Sequence, residues 1–210
     1  MKKSITAILC IIIILSFTAC KKQQTEVKTT TNAENEQTEI QKAAKEKAAA
    51  LEQKAQDGYK LFFQKKYNEA IAMEDEVIKE DPSFFKAYYI KGITQCYGGN
   101  YAEGAVNIDK ALSLNPNDYM ARFNKALSLE LYKHYDEALV WYNKALEIQK
   151  EEWSYYGIAS IYGRRGDGAN AVKYLKLAME LNPETKNEAK SEADFNPVKN
   201  NPEFIKLIGN

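Results

Sequence analysis

The sequence contains very little histidine, proline or cysteine, and it has no excess of charge of either sign. Its 210 residues include 1 histidine, 5 prolines and 3 cysteines, with 29 lysines and arginines against 29 aspartates and glutamates. So few histidines and cysteines disfavour a histidine-based metal site or a disulfide-stapled domain. The balanced charge disfavours a nucleic-acid-binding protein, because such proteins usually present a surplus of positive charge. A hydrophobic share of 45% suffices for a packed core, which excludes wholesale disorder.

The short motifs that carry common catalytic or phosphate-binding chemistry are missing as well. The sequence has no GxxxxGK[ST] loop, no GxGxxG, no HExxH and no CxxC. His134 falls in a predicted turn, and Cys96 is interpreted as a small, semi-buried apolar side chain rather than a reactive thiol. The acidic run from Glu74 to Glu76 is interpreted as a solvated helix face. We therefore predict a protein that is not an enzyme and that uses no cofactor and no metal.

A short basic start and an apolar run indicate a secretory signal at the N-terminus. Lys2 and Lys3 precede an almost unbroken apolar segment from Ile5 to Phe17. A helix from Ile5 to Ala19 would reach roughly 22 Å, which is short of the ~30 Å hydrocarbon core of a bilayer. We therefore predict a cleaved signal peptide at residues 1–19 rather than a permanent transmembrane helix.

The end of this segment resembles a bacterial lipobox, the sequence at which lipoprotein precursors are acylated and cleaved. Residues 15–20 read LSFTAC, with small residues directly before the cysteine and Phe17 where leucine is usual. The resemblance implies that Cys20 becomes the lipidated first residue of the mature chain, with palmitate or a similar acyl group. Two or more acyl chains give a stable anchor. The expected location is the extracytoplasmic side of the cell membrane or of the outer membrane.

Residues 20–39 are predicted to form a flexible, disordered linker that begins with the lipidated cysteine. Between Lys21 and Glu39 the only aliphatic side chain larger than alanine is Val27. Such a segment cannot bury enough apolar surface to offset its chain entropy. From Ile40 the composition changes to alanine, lysine, glutamate and glutamine, which predicts one long helix to about Lys65.

Four later segments of the sequence align with one another without gaps. They are KYNEAIAMEDEVIKEDP, NYAEGAVNIDKALSLNP, HYDEALVWYNKALEIQK and DGANAVKYLKLAMELNP, which end at Pro82, Pro116, Lys150 and Pro183. Their ends are 34, 34 and 33 residues apart. A period of 34 residues is typical of helix-turn-helix units that stack into a solenoid. The prolines predict helix ends in three of the four segments, because the residue before proline is disfavoured in the helical region.

Small residues at fixed positions of these segments resemble the tetratricopeptide repeat (TPR) family. They fall at Gly58, Gly92, Ala126 and Ala159 in the first helices and at Ala70, Gly104, Ala138 and Ala171 in the second. The resemblance implies an all-α TPR helix-turn-helix solenoid, a right-handed superhelix of about four repeats, over residues 40–183. Repeats are expected near residues 51–84, 85–118, 119–151 and 152–185. A C-terminal helical cap is expected at residues 184–210, with a helix that runs to Asp194. The apolar side chains that would then cover the last repeat are Phe195, Val198, Phe204, Ile205, Leu207 and Ile208.

In this family the first helix of each repeat lines a concave surface that binds a partner. The matching positions here are mostly aromatic and apolar: Tyr59, Phe62, Tyr89, Ile93, Tyr97, Phe123, Asn124, Leu127, Trp153 and Tyr156. An exposed patch of this composition is typical of a binding surface, although single rings could instead pack between helices. The Lys/Asn/Arg clamp with which some members bind a chaperone carboxylate is disfavoured, because only Asn124 is polar at the equivalent positions.

These features together predict a membrane-anchored TPR scaffold that binds a protein or peptide partner in an aromatic groove at the extracytoplasmic cell envelope. In plan it resembles bacterial TPR lipoproteins. The expected partners are a protein or peptide and, through Cys20, the lipid bilayer, without nucleic acid or metal. An alternative is a lipoprotein that encloses a small apolar ligand. A cavity closed by the N-terminal helix would favour the ligand, and an open groove would favour the peptide.

Overall fold

The computed structural model describes residues 37–209. The predicted signal peptide at residues 1–19, the predicted lipidation site Cys20 and most of the predicted linker lie outside the described residues. The chain divides into two units, Met1–Glu52 and Gln53–Asn210. The first helix, α1, covers residues 37–63, so it begins slightly before the predicted start at Ile40 and ends slightly before Lys65.

Helices follow one another in pairs along the rest of the chain. They are α2 (Tyr67–Glu80), α3 (Phe85–Tyr97), α4 (Tyr101–Leu114), α5 (Tyr119–Leu131), α6 (Tyr135–Leu146), α7 (Glu152–Arg164), α8 (Gly168–Leu181), α9 (Thr185–Ser191), a 3-10 helix (Ala193–Val198) and α10 (Pro202–Ile208). Residues 37–209 contain no strand, which confirms the all-α prediction for this part of the chain. None of their helices is both long enough and apolar enough to cross a membrane.

The turn inside each helix pair carries one residue with a left-handed backbone. These residues are Lys65, Gly99, Lys133 and Gly166, with φ angles of 61°, 93°, 66° and 74°. Their spacing of 34, 34 and 33 residues repeats the period of the sequence. The left-handed region costs a lysine roughly 1 kcal/mol. Because two of the four turns bear that cost, the packing of the helices, rather than local preference, sets the turn geometry.

Polar residues before proline end the second helix of three pairs. Helices α2, α4 and α8 stop just before Asp81, Asn115 and Asn182, each of which has an extended backbone and precedes a proline. At the start of α4 the side chain of Asn100 accepts a hydrogen bond from the backbone N–H of Glu103 and so caps the helix. The helix boundaries therefore follow from local chemistry.

Small residues allow the helices to pack closely, and each pair then packs on the next. The predicted positions Ala70, Ala126, Ala138, Ala159 and Ala171 are all fully buried. Between pairs, α2 contacts α3, α4 contacts α5, and α6 contacts α7. Contacts between chain neighbours are the defining feature of a solenoid, so the predicted helix-turn-helix stack is confirmed.

Two glycines bring α3 and α4 together. A Cβ atom on Gly92 would lie 2.7 Å from the carbonyl oxygen of Gly104 and 2.7 Å from Cγ1 of Ile108. A Cβ atom on Gly104 would lie 2.6 Å from the carbonyl oxygen of Gly92 and would also collide with the sulfur of Cys96. Glycine inside a helix costs about 1 kcal/mol relative to alanine. Gly104 bears that cost because no side chain fits at this crossing.

Glu74 is buried, which corrects the prediction that the run from Glu74 to Glu76 forms a solvated face. Its exposed fraction is 0%, and neither carboxyl oxygen has a hydrogen-bond partner among the described residues. The carboxyl group lies over Gly58, where any Cβ atom would collide with Oε1. Burial, with a smaller contribution from Asp75, raises the pKa of Glu74 to about 9. Glu76 remains exposed and binds Lys54 at 2.8 Å.

The C-terminal segment covers the last helix pair, as predicted. Phe195, Val198 and Phe204 are buried in one cluster with Ala171 and Leu175 of α8. The helix predicted to run to Asp194 ends instead at Ser191, because a 3-10 helix that contains Pro197 replaces it. Ile205, which was expected to join the cap, is 41% exposed.

Candidate functional site

A cleft of about 620 Å³ runs along the first helices of the four pairs. Its lining comes mainly from the C-terminal part of α1, from α3, α5 and α7, and from the segment that joins α9 to the 3-10 helix. All of these residues belong to the unit Gln53–Asn210. The aromatic lining residues are Tyr59, Phe62, Phe63, Tyr67, Tyr97, Tyr119, Phe123, Tyr142, Trp153 and Tyr156. We refer to this space as the cleft.

Several aromatic side chains of the cleft touch one another, and some of them are accessible to solvent. The ring centroids of Phe62 and Tyr97 are 5.2 Å apart, and those of Trp153 and Tyr156 are 5.7 Å apart. Phe63, Tyr97 and Trp153 are 68%, 40% and 41% exposed, whereas Phe62 is buried. Such rings present large apolar faces with polar edges. The cleft therefore offers a preformed and partly exposed apolar surface.

A buried polar cluster of Glu130, Ser160 and Asp194 forms one part of the cleft wall. These residues are 8%, 3% and 8% exposed. Tyr142 donates a hydrogen bond from its hydroxyl to Oε2 of Glu130 at 2.6 Å, and Ser160 Oγ lies 2.9 Å from Oε1. The same Ser160 oxygen is hydrogen-bonded to Asp194, whose Oδ2 lies 2.7 Å from Nη2 of Arg164. We call Glu130, Ser160 and Asp194 the polar cluster.

Burial and hydrogen bonding act in opposite directions on Glu130. Burial raises the pKa of its carboxyl group and is the largest effect, while the hydrogen bonds from Tyr142 and Ser160 and the positive charge of Arg164 lower that pKa. Both carboxyl oxygens of Glu130 accept a hydrogen bond, so this buried acid is held in one position in the cleft wall.

Glu151 organises another part of the cleft wall. Its carboxylate accepts hydrogen bonds from the backbone N–H groups of Trp153 at 2.9 Å and Ser154 at 3.3 Å, which caps α7. It also accepts a hydrogen bond from the hydroxyl of Tyr119. Burial raises the pKa of the Glu151 carboxyl group and, together with the hydrogen bond to Glu151, that of Tyr119. This arrangement holds Trp153 at the start of α7 and ties the third pair to the fourth.

Comparison with known proteins identifies the helix pairs. Residues 154–185 match the family model described as Tetratricopeptide repeat, and they include nearly all of α7 and the whole of α8. This matched pair packs in the same way as the pairs before it. The matched pair is a tetratricopeptide repeat, and the described helix pairs have the TPR fold.

Relatives and solved structures agree with a TPR fold. The TPR repeat-containing protein MJ1428 of Methanocaldococcus jannaschii is 27% identical over 128 residues, an alignment that covers 59% of this chain and 22% of that relative. PilW, described as a widely conserved type IV pilus biogenesis factor, is 18% identical with a TM-score of 0.58 over 76% of this chain and 78% of its own. A chain of the Naa15/Naa10 complex bound to HypK-THB is 15% identical with a TM-score of 0.56, over 70% of this chain and 23% of its own. The TPR chain thus spans about a fifth of the length of MJ1428.

Most of the groove residues predicted from the TPR resemblance line the cleft. They are Tyr59, Phe62, Tyr97, Phe123, Leu127, Trp153 and Tyr156. Tyr89, Ile93 and Asn124 do not line it, which corrects the expected groove at these three positions. Their exposed fractions are 6%, 0% and 1%. Ile93 packs in a core cluster with Cys96 and Ile108, and Asn124 donates its side-chain N–H to the carbonyl oxygen of Met120 at 2.8 Å.

Several cleft residues were missed by the sequence analysis, chiefly the charged ones. Glu130 lies between Leu129 and Leu131 on the first helix of the third TPR. A charged residue among apolar ones on this helix was the signal in the sequence that could have indicated a buried polar site. Asp194 had no such signal, because it lies in the C-terminal cap outside the repeats and reaches the cleft only through the fold. Tyr142 lies on α6, a second helix, and so falls outside the positions that the family pattern assigns to the groove.

Cys96 and His134, which the sequence analysis singled out, do not line the cleft. Within residues 37–209 no group of three or more His, Cys, Asp or Glu side chains is arranged to hold a metal ion. Burial raises the pKa of the Cys96 thiol to about 11, which makes it a poor nucleophile at neutral pH. His134 lies at the start of α6, where its ring stacks on Tyr101 with centroids 5.8 Å apart. None of these groups meets another in a nucleophile-base pair.

Proposed function

We propose that this TPR protein is a membrane-anchored scaffold that holds an extended segment of a protein partner in the cleft, on the extracytoplasmic side of the cell envelope, and catalyses no reaction. One observation above all supports the proposal. Accessible aromatic rings from the first helices of four consecutive TPR units line one continuous cleft. Tyrosine and tryptophan dominate the binding energy of protein interfaces, because they bury much surface at little cost in side-chain entropy.

The exposure of the rings favours a peptide over an enclosed ligand. Phe63 and Trp153, which lie on α1 and α7, are both open to solvent, so that a chain could enter and leave the cleft lengthwise. Neighbours of the same fold are consistent with a scaffold: PilW is a pilus biogenesis factor, and the Naa15/Naa10 complex is bound to HypK-THB. A volume of about 620 Å³ would also suit one compact apolar ligand. Native mass spectrometry of the purified protein would reveal such a ligand as a discrete added mass.

Site-specific crosslinking in intact cells tests the proposed cleft. A photoreactive phenylalanine analogue at Phe63 should capture the partner, whereas the same analogue at Val106 should not. Both positions are 68% exposed, but Val106 lies on α4 and does not line the cleft. Trp153→Ala should weaken the capture at position 63 by about tenfold or more, because removal of a central aromatic anchor typically costs at least that much affinity. Equal capture at both positions would place the partner elsewhere on the protein.

The proposed anchor depends on Cys20. Cys20→Ala should abolish incorporation of a metabolically supplied fatty acid, because the residue that would carry the acyl chain is gone. The control is Cys10→Ala, since Cys10 lies within the predicted signal peptide and would be absent from the mature chain. Fatty-acid labelling that survives the loss of Cys20 would refute the lipid anchor without affecting the proposed role of the cleft.

A further inference from the structure

Negative charge prevails in the lining of the cleft. Its acidic side chains are Glu130, Glu151, Glu192 and Asp194, and its basic side chains are Lys65 and Arg164. Arg164 is already paired with Asp194, and Glu151 is already hydrogen-bonded to Tyr119 and to the start of α7. Within residues 37–209, neither Glu130 nor Glu192 forms a salt bridge with a basic side chain. The cleft therefore has acidic groups that the described chain does not neutralise.

We propose that the occupant of the cleft is an extended peptide segment with an arginine or lysine between apolar residues, whose positive charge pairs with Glu130. The inference rests on the proposed function and names the chemistry of its partner. Two observations carry it: the acidic excess beside the rings, and the buried position of Glu130 in a wall that the peptide would touch. Charge complementarity of this kind gives an interface its specificity.

Glu130 has no cationic partner in a salt bridge within residues 37–209. Its carboxyl group accepts hydrogen bonds from Tyr142 and Ser160 instead. A buried carboxyl group without a cation is costly to ionise. A guanidinium or ammonium group of the peptide would supply that cation, and hydrogen bonds between charged groups are about twice as strong as neutral ones.

The rings beside the polar cluster suit the same occupant. Tyr97 and Tyr156 line the cleft, where burial raises the pKa of both hydroxyl groups and the nearby charge of Glu130 adds to that rise. Aromatic faces attract cations, with arginine the more frequent partner. The apolar neighbours of the basic residue would pack on Phe63 and Trp153, which are accessible. Each part of the segment thus has a matching part of the cleft.

The test uses the full-length protein and two short peptides that differ only in charge. The first is N-acetylated and C-amidated Gly-Phe-Arg-Phe-Gly, and the second has citrulline, a neutral isostere, in place of arginine. Isothermal titration calorimetry should show that the arginine peptide binds at least about tenfold more tightly, as expected for a hydrogen bond to a charged group.

Glu130→Gln is the variant that separates charge from structure. Glutamine has the same shape and can keep a hydrogen bond to both Tyr142 and Ser160, so the fold should be retained. The variant should lose the preference for arginine over citrulline. Glu137→Gln is the control, because Glu137 is exposed on α6 and outside the cleft. It should keep the preference.

The possible failures point to different conclusions. Equal binding of both peptides, with both weakened by Trp153→Ala, would overturn the cationic specificity and leave the proposed peptide scaffold intact. Tighter binding of a peptide with glutamate in place of arginine would also overturn it. Absence of binding for all three peptides would overturn both this inference and the assignment of the cleft as a peptide site.

Discussion

Glu74→Gln should stabilise the protein at neutral pH and have little effect in acid. Glu74 is fully buried, and no described group donates a hydrogen bond to its carboxyl oxygens, so the ionised form is strongly disfavoured in the folded state. The folded protein keeps this carboxyl group protonated up to a pKa of about 9, against a usual value of 4.5. Glutamine fills the same volume without a titratable proton, so it removes the penalty that the wild-type residue imposes.

The sign of the pH dependence follows from the raised pKa. Below about pH 4.5 the carboxyl group is protonated in both the folded and the unfolded chain, and it adds no pH dependence. Between about pH 4.5 and pH 9 the unfolded chain releases the proton and the folded chain retains it, so the free energy of unfolding falls as the pH rises. At pH 7 the loss amounts to about 3 kcal/mol, which is the gain expected from Glu74→Gln.

Urea denaturation at pH 4 and pH 7 measures this effect. The two proteins should have similar midpoints at pH 4, and the variant should have the higher midpoint at pH 7 with an unchanged slope. Glu76→Gln is the matched control: it makes the same chemical change on the same helix, but at an exposed carboxylate whose pKa is lowered by its hydrogen bond to Lys54. It should give no gain at pH 7. A gain of equal size for both variants, or at both pH values, would show that Glu74 is not a buried acid.

Gly92→Ala should severely destabilise the second TPR. The new methyl group would approach the carbonyl oxygen of Gly104 and Cγ1 of Ile108 to 2.7 Å, and the backbone nitrogen of Ile108 to 3.0 Å. Two of these atoms belong to the backbone of α4, so the whole helix has to move. Overpacking of this kind costs about 3 kcal/mol, more than the ~1 kcal/mol that alanine gains in helix propensity.

Gly98→Ala is the matched control for this crossing. Gly98 ends the same helix with a φ of −74°, which suits any residue, and an added Cβ atom would come no closer than 3.3 Å to another atom. Its effect on the free energy of unfolding should stay within about 0.5 kcal/mol. Thermal and urea denaturation of the two variants would distinguish them. If both were equally stable, the close approach of α3 and α4 would not be rigid.

The helix pairs could be predicted from the sequence because their determinants are local and repeated. Tyrosine is the first residue of α2, α4 and α6, and a proline follows the end of three second helices. The same residue types therefore mark the start and the end of the second helix in several repeats. The small residues at the helix crossings recur with the same period. An error at one position, such as the missing proline at Lys150, is outweighed by the agreement of the others.

The cleft could be predicted only in part, because its determinants are not periodic. The position of a residue within the family's repeat predicts only which side of the helix it lies on. Neighbouring positions on a first helix can face the partner helix, the next repeat or the cleft. Ile93 and Asn124 lie in the core rather than at the cleft. Asp194 comes from the cap. Glu74 shares the buried face of α2 with Ala70 and Val77, but its acidic neighbours favoured the interpretation as a solvated run. Non-local packing decides these cases.

The position of Cys96 between α3 and α4 makes its thiol a reporter of local opening of the second TPR. Its side chain is 1% exposed, and its sulfur occupies the gap that Gly104 leaves. The pKa of this thiol is about 11. While the two helices stay together, the sulfur is therefore neither accessible to an alkylating reagent nor ionised. Each alkylation of Cys96 therefore records one separation of this pair. The rate of the reaction counts local openings that a whole-chain average would conceal.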